Sequence, residues 1–195
     1  LMAQKVVRGK IYSAKREVLA ETKVDANKKE TRNYPFGSLF AHVVGFSTHG
    51  KMGIESMENF SLLTSNAFVK ERLQNTITDQ KNIGDNVITT LDTDLQKTAS
   101  DALGVYKGSI VVIEPETGRI LSMVSKPDYD PNTVDADWEE VTADAESGAL
   151  VNRATNGLYP GGSTFKIITT LEYLREHMED YQDYQFQCNG HFEKD

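Results

Sequence analysis

The chain has 195 residues, 38% of them hydrophobic and 26% charged, with a formal net charge of −8 and one cysteine. That length holds one or two domains, the composition is that of a globular protein, and the acidic balance excludes the basic stripe a nucleic-acid partner requires. No apolar run is long enough to span a bilayer, no secretory signal is visible, and the lone Cys188 excludes an internal disulfide.

From the N-terminus, Lys5 to Tyr12 and Glu17 to Val24 read as short strands, followed by a polar turn from Asp25 to Thr31. A helix is predicted from about Ile54 to Leu63, with Ile54, Met57 and Phe60 as its apolar positions. Gln74 to Gly84 is polar and reads as a linker or exposed arm, so the chain divides into residues 1–83 and 84–195. Val87, Thr89 and Leu91 alternate as a strand, and Thr93 with Gln96 has the spacing of a capping box before a helix carrying Leu95, Ala99, Ala102 and Leu103. Ser109 to Ile113 and Arg119 to Val124 are β-rich runs joined by Glu114-Pro115-Glu116-Thr117-Gly118, the pattern of an antiparallel hairpin. Asp128 to Gly148 is acidic and loop-like, as a solvated face would be.

The histidines offer little. His42, His49 and His177 share no ligand spacing, and His42, between Ala41 and Val43, reads as a core or capping residue. Cys188 and His191 could supply two metal ligands, but nothing nearby completes a set of four, so neither a metal nor a cofactor is expected.

The informative segment is Gly157 to Lys166, GLYPGGSTFK. Pro160-Gly161-Gly162 stops any preceding element, and Ile167, Leu171, Leu174 and Met178 then recur at i, i+4, i+7 and i+11, which predicts a buried helix running to about Met178. Ser163 and Lys166, three apart, share one face of that helix. A lysine buried among apolar neighbours can sit neutral and take the serine proton, while the helix start offers N–H groups to a developing negative charge. Ser-x-x-Lys alone is weak, because a helix with a serine N-cap and a solvated lysine has the same spelling. Ser163 is, however, the one serine in the chain with a lysine at i+3.

The segment Leu150 to Lys166, LVNRATNGLYPGGSTFK, resembles the active-site segment of the penicillin-binding proteins. Gly84 to Gln96 and Gly108 to Asn132 are similar to the entry and first hairpin of their transpeptidase domain, and Tyr34 to Gly45, Gly53 to Leu63 and Arg8-Gly9-Lys10-Ile11 to the pedestal domain of the class B members. There are departures. Gly161 stands where the family usually has a second proline, and Ser13-Ala14 and Arg16 replace the Asp-Arg pair and glycine that usually follow RGxI, which predicts a less regular first hairpin. The stretch between Ala20 and Tyr34 is also short.

This resemblance implies an α+β fold: a small pedestal, then a truncated serine-transpeptidase domain with an antiparallel hairpin and a central Ser-x-x-Lys helix. It implies that Ser163 attacks the D-alanyl-D-alanine end of a peptidoglycan stem peptide, that β-lactams trap the same serine, and that Lys166 is the base. It further implies a membrane anchor upstream of Leu1 and a place on the extracytoplasmic face. The companion motifs Ser-x-Asn and Lys-Thr-Gly do not occur in the 195 residues, which predicts a fragment ending inside the catalytic domain, inactive by itself and prone to self-association through an unpaired hairpin edge. Two other readings stay open: a non-enzymatic interaction pedestal or β-lactam sensor, and a serine β-lactamase, against which the pedestal-like first part stands.

Overall fold

The computed structural model describes residues 6–66, 75, 80–144 and 146–190. They fall into two compact units, Leu1–Gly157 and Leu158–Asp195. The class is mixed α+β.

The first unit begins with β1 (Val6–Val7), β2 (Ile11–Tyr12), β3 (Val18–Val24) and β4 (Glu30–Asn33), joined later by β5 (Asn82–Ile83) and β6 (Val87–Ile88). A four-stranded sheet runs in the order β4-β3-β2-β6, with β2 and β6 parallel and the other pairs antiparallel. The β1 and β5 strands form a separate parallel pair, Val6 beside Asn82. The expected single strand from Lys5 to Tyr12 is therefore split in two. Gly9 is the reason: its amide turns to the Leu62 carbonyl at 2.9 Å, and a Cβ there would come within 2.0 Å of the Asp85 carbonyl oxygen. Only glycine permits that crossing. The hairpin between β2 and β3 carries a register shift at Ile11/Tyr12, the irregularity expected from the residues after RGxI. Of the stretch read as a linker, Gln74 to Gly84, residues 74 and 76–79 lie outside the described residues, and its end supplies β5.

The expected helix from Ile54 to Leu63 is two short ones, α2 (Gly53–Met57) and α3 (Asn59–Leu63), after α1 (Ala41–Val44), with the break at Glu58, φ −98° and ψ 20°. Its buried side is only partly the apolar one, with Leu62 buried and Ile54 packed on the core. Met57 is 83% and Phe60 69% exposed, whereas Glu55 is fully buried, because two arginines hold it inside. Arg8 Nε donates to Glu55 Oε2 at 2.5 Å and Arg32 Nε to Oε1 at 2.7 Å, and Tyr34 Oη adds a bond at 3.3 Å. Above this network Ile11, Leu19, Ala20, Tyr34, Phe40, Val44, Leu62 and Leu91 form the main core. Burying a carboxylate is costly unless it is paired and hydrogen-bonded, and here it is both.

Next come α4 (Thr93–Leu103) and the hairpin of β7 (Gly108–Ile113) and β8 (Ile120–Lys126), with Gly108 opposite Lys126 and Ile110 opposite Val124. The hairpin stands where the sequence placed it. Its two strands form a sheet of their own, with no third strand on either edge among the described residues. The cap of α4 differs from expectation: Asp92, not Thr93, accepts the amides of Asp94 and Leu95 at 2.9 and 3.0 Å. Gln96 is thereby free to point inward. Fully buried, its side-chain nitrogen donates to the carbonyls of Leu39 and Met123, while its oxygen accepts from Ser122 and the Met123 amide, so one residue stitches α4 to β8.

The acidic stretch forms α5 (Trp138–Ala143), with Asp135, Asp137, Glu139 and Glu140 exposed. It is anchored from beneath by Tyr129 and Val134, which join Ala41 and Phe46 in a second core cluster. His42 is a core residue as expected, buried, with Nε2 donating to the Ala149 carbonyl at 2.6 Å. Burial holds its pKa below the ordinary histidine value, a trend the Ala149 bond opposes.

Candidate active site

The first unit ends in α6 (Arg153–Asn156). Asn152 caps it, accepting the Ala154 amide at 3.1 Å. Buried Arg153 holds the preceding loop, donating to the carbonyls of Ser147 at 2.6 Å and Gly148 at 3.0 Å, while its own amide donates to Ser125 Oγ at 3.0 Å. Neither Arg153 nor the Arg8–Glu55–Arg32 network was singled out from the sequence; a charged residue set among apolar neighbours, as Glu55 is beside Ile54, was the available signal.

In the second unit the chain enters a 3₁₀ turn, Gly162–Thr164, continued by α7 (Phe165–Glu176). The turn starts at Gly162 with φ +53°, a left-handed conformation that favours glycine, and Thr164 Oγ1 closes it on the Gly161 carbonyl. Gly161 itself has φ −63° and ψ −23°, which a proline could adopt. Its lack of a side chain is not what shapes the turn.

Ser163 and Lys166 are brought together as expected. Lys166 Nζ donates to Ser163 Oγ at 3.4 Å, at the long end for a hydrogen bond. As the middle residue of the opening turn, Ser163 has its N–H among those that a helix start leaves without an intrahelical partner. A hydroxyl, an adjacent amine and a free backbone donor thus lie within one turn of helix, groups of the kind acyl transfer uses.

The surroundings correct the expectation of a buried helix reaching Met178. Helix α7 ends at Glu176, and none of its residues is buried: Ile167 is 64% and Leu171 61% exposed, and Lys166 is exposed as well. The physical reason is that its apolar residues are spread over more than one face, and this unit offers only a short tail to cover them. That tail covers one side, where Tyr173 stacks on His177 at 4.3 Å and meets Tyr184 edge-on at 5.1 Å around a cavity of about 470 Å³. The Ile167 and Leu171 side, next to Lys166, borders an open depression of about 300 Å³. Cys188 is exposed, and among the described residues no three His, Cys, Asp or Glu side chains converge in a way that could hold a metal ion.

Two family models match. Residues 8–87 match the penicillin binding protein A dimerisation domain, and residues 108–195 the penicillin binding protein transpeptidase domain. Peptidoglycan D,D-transpeptidase PbpA of Mycolicibacterium smegmatis is 37% identical over 184 residues, covering 86% of this chain and 37% of that protein. The imipenem acyl-enzyme complex of penicillin-binding protein A from M. tuberculosis superposes with a TM-score of 0.75 at 34% identity, over 89% of this chain and 43% of that one. The D,D-transpeptidase domain of a peptidoglycan glycosyltransferase from Eggerthella lenta gives a TM-score of 0.74 at 35% identity, over 88% of this chain and 38% of that one. The chain thus spans well under half the length of these relatives.

Proposed function

The chain belongs to the class B penicillin-binding proteins, and from that premise we propose that it carries the nucleophile of a serine D,D-transpeptidase, with Ser163 the acylated residue and Lys166 its base. The observation that carries this reading is the 3.4 Å approach of Lys166 Nζ to Ser163 Oγ at the start of a helix, inside the segment that matches the transpeptidase domain.

Ser163 Oγ attacks the carbonyl carbon of the D-alanyl-D-alanine peptide bond while Lys166 removes the hydroxyl proton. The N–H of Ser163 is one donor to the resulting oxyanion. The C–N bond then breaks, the proton passes to the departing D-alanine amine, and an ester remains on Ser163. The amine of a second stem peptide attacks that ester, forms the cross-link and returns a proton to the serine. A β-lactam enters the same first step, but its leaving nitrogen stays tethered after the ring opens, so the ester persists. The relative trapped as an imipenem acyl-enzyme supports this course.

The division at residues 83/84 is kept as the boundary between pedestal and catalytic parts, with the dimerisation-domain match running a few residues past it to 87 and the transpeptidase match starting at 108. A membrane-anchored protein at the extracytoplasmic face, where peptidoglycan and β-lactams are met, suits this chemistry. No helix among the described residues is long and apolar enough to cross a membrane. Within these 195 residues the pair lacks both Ser-x-Asn and Lys-Thr-Gly, and loss of one oxyanion donor alone costs about 3 to 4 kcal/mol of transition-state stabilisation. The residues by themselves therefore acylate poorly. A binding or sensing role without cross-linking would use the same acylation step and is the second reading.

Mass spectrometry of the full-length protein after incubation with penicillin tests the assignment. A single adduct on Ser163, absent from Ser163→Ala, is expected; an adduct on another residue refutes it. Turnover of D-alanyl-D-alanine donor with an acceptor amine separates the transpeptidase from the sensor.

A further inference from the structure

The first unit contains a cavity of about 550 Å³ whose wall includes Arg8, Lys29, Arg32, Ser47, Thr48 and Lys51. The charge around it does not balance. Arg8 and Arg32 share one buried carboxylate, Glu55, which leaves one positive charge in excess in a desolvated place. Arg32 is 8% exposed and its Nη2 is the one buried side-chain polar atom without a hydrogen-bond partner among the described residues. The ammonium groups of Lys29 and Lys51 meet no carboxylate among the described residues. Both acids on the wall are engaged elsewhere, Glu30 with Lys81 at 2.6 Å and Asp135 with His49 at 3.1 Å.

A surplus of positive charge beside a desolvated ion pair is costly, and an anion that neutralises it is the complement this wall lacks. From this we infer that the cavity is a binding site for a phosphoryl group, the oxyanion of a phosphate ester or diphosphate. A carboxylate has two oxygens to offer. Beside that surplus charge the wall presents the two ammonium groups and the Thr48 hydroxyl, donors enough for the three or four oxygens of a phosphoryl group. Val6, Phe46 and Leu63 supply apolar wall for the organic remainder. The site lies within the first unit, its wall drawn from the pedestal part and from Pro131, Asn132 and Asp135, and does not depend on the chemistry of Ser163.

Calorimetric titration of inorganic phosphate and of pyrophosphate into the protein tests this, with acetate as the carboxylate control. Saturable pyrophosphate binding is expected, weakened by added salt and weakened at least about tenfold in the double variant Lys29→Gln/Lys51→Gln, whose changes lie at the rim and leave the urea midpoint unaltered. Two further arms identify the source. Sedimentation with phosphatidylglycerol vesicles, lost in the double variant and absent with phosphatidylcholine, assigns the group to a lipid headgroup; pyrophosphate binding without vesicle binding assigns it to a soluble phosphate ester. No saturable binding of phosphate or pyrophosphate, binding equal in the double variant, or acetate binding as tight as pyrophosphate overturns the inference.

Discussion

The buried arginine–glutamate network and the Ser163–Lys166 pair are built in opposite ways. Arg8, Arg32 and Glu55 are joined across 47 and 23 positions of sequence, sealed from water and held by carbonyl, amide and hydroxyl partners. Ser163 and Lys166 are three positions apart, exposed, and held at 3.4 Å by one turn of helix. Long-range partners make a charged group structural. A nucleophile instead requires reachable chemistry whose environment is added from outside its own helix. Covered and uncovered ionic groups should therefore respond to substitution in different currencies, stability for the first and rate for the second.

The sharpest contrast is between Lys166→Ala and Glu55→Ala. In the full-length protein, Lys166→Ala should slow acylation by about 10² to 10⁴-fold while leaving the unfolding midpoint in place, measured by stopped-flow labelling beside urea denaturation. Glu55→Ala strands two guanidinium groups in a dry site and should cost about 3 to 5 kcal/mol of stability. Trp138, the one tryptophan, packs edge-on to Phe46 in the first unit, so its fluorescence follows unfolding there. A Glu55→Ala protein that unfolds like the parent would dissolve the distinction.

Acid should act on the covered region before the exposed one. Burial depresses the His42 pKa below its ordinary value of 6.5, so the unfolded chain takes up the proton first. His42 therefore contributes no penalty above about pH 6.5, and stability falls as pH drops below it until the folded-state imidazole itself protonates. The urea midpoint of the wild type should decline between pH 7 and 5 more steeply than that of His42→Gln. Parallel slopes would show that His42 is not the responsible group.

The smallest effect is expected at Ile167→Ser. With the side chain 64% exposed in this chain, the change should move stability by no more than about 0.5 kcal/mol, read by circular dichroism. A loss of 2 kcal/mol or more would mean that the face is covered.

Legibility in the sequence followed the range of the interactions. The hairpin of β7 and β8 and the shared face of Ser163 and Lys166 depend on residues a few positions apart, and local pattern reads such things well. The apolar neighbours of His42 gave it a core or capping reading, and it is buried. The cap of α4 was misread by one residue, because Thr93 and Asp92 both have capping side chains and only the geometry shows that the carboxylate reaches two amides. Gln96 then loses its reading as half of a capping box and becomes a buried tie between helix and hairpin. The polar face of α2 escaped detection for a different reason: burying Glu55 in place of Met57 makes sense only once Arg8 has arrived from the link between β1 and β2 and Arg32 from β4. Helix α7 shows the converse, an apolar pattern that states a need for cover without naming what supplies it.

The parallel seam of the pedestal has a consequence for how the chain is made. Strand β2 lies beside β6, with Ile11 opposite Val87, and Lys10 is hydrogen-bonded to Asn86, 76 positions later. Closing a loop of that size costs roughly 4 kcal/mol of chain entropy before the contacts form. During synthesis, β2 can pair with β3 as soon as the first 24 or so residues are clear of the ribosome, but its other edge stays open until Val87 and Ile88 emerge. The pedestal sheet is thus completed only by the residues that lead out of it, and a nascent chain stalled before residue 87 would present β2 as an unpaired edge to any extended segment nearby.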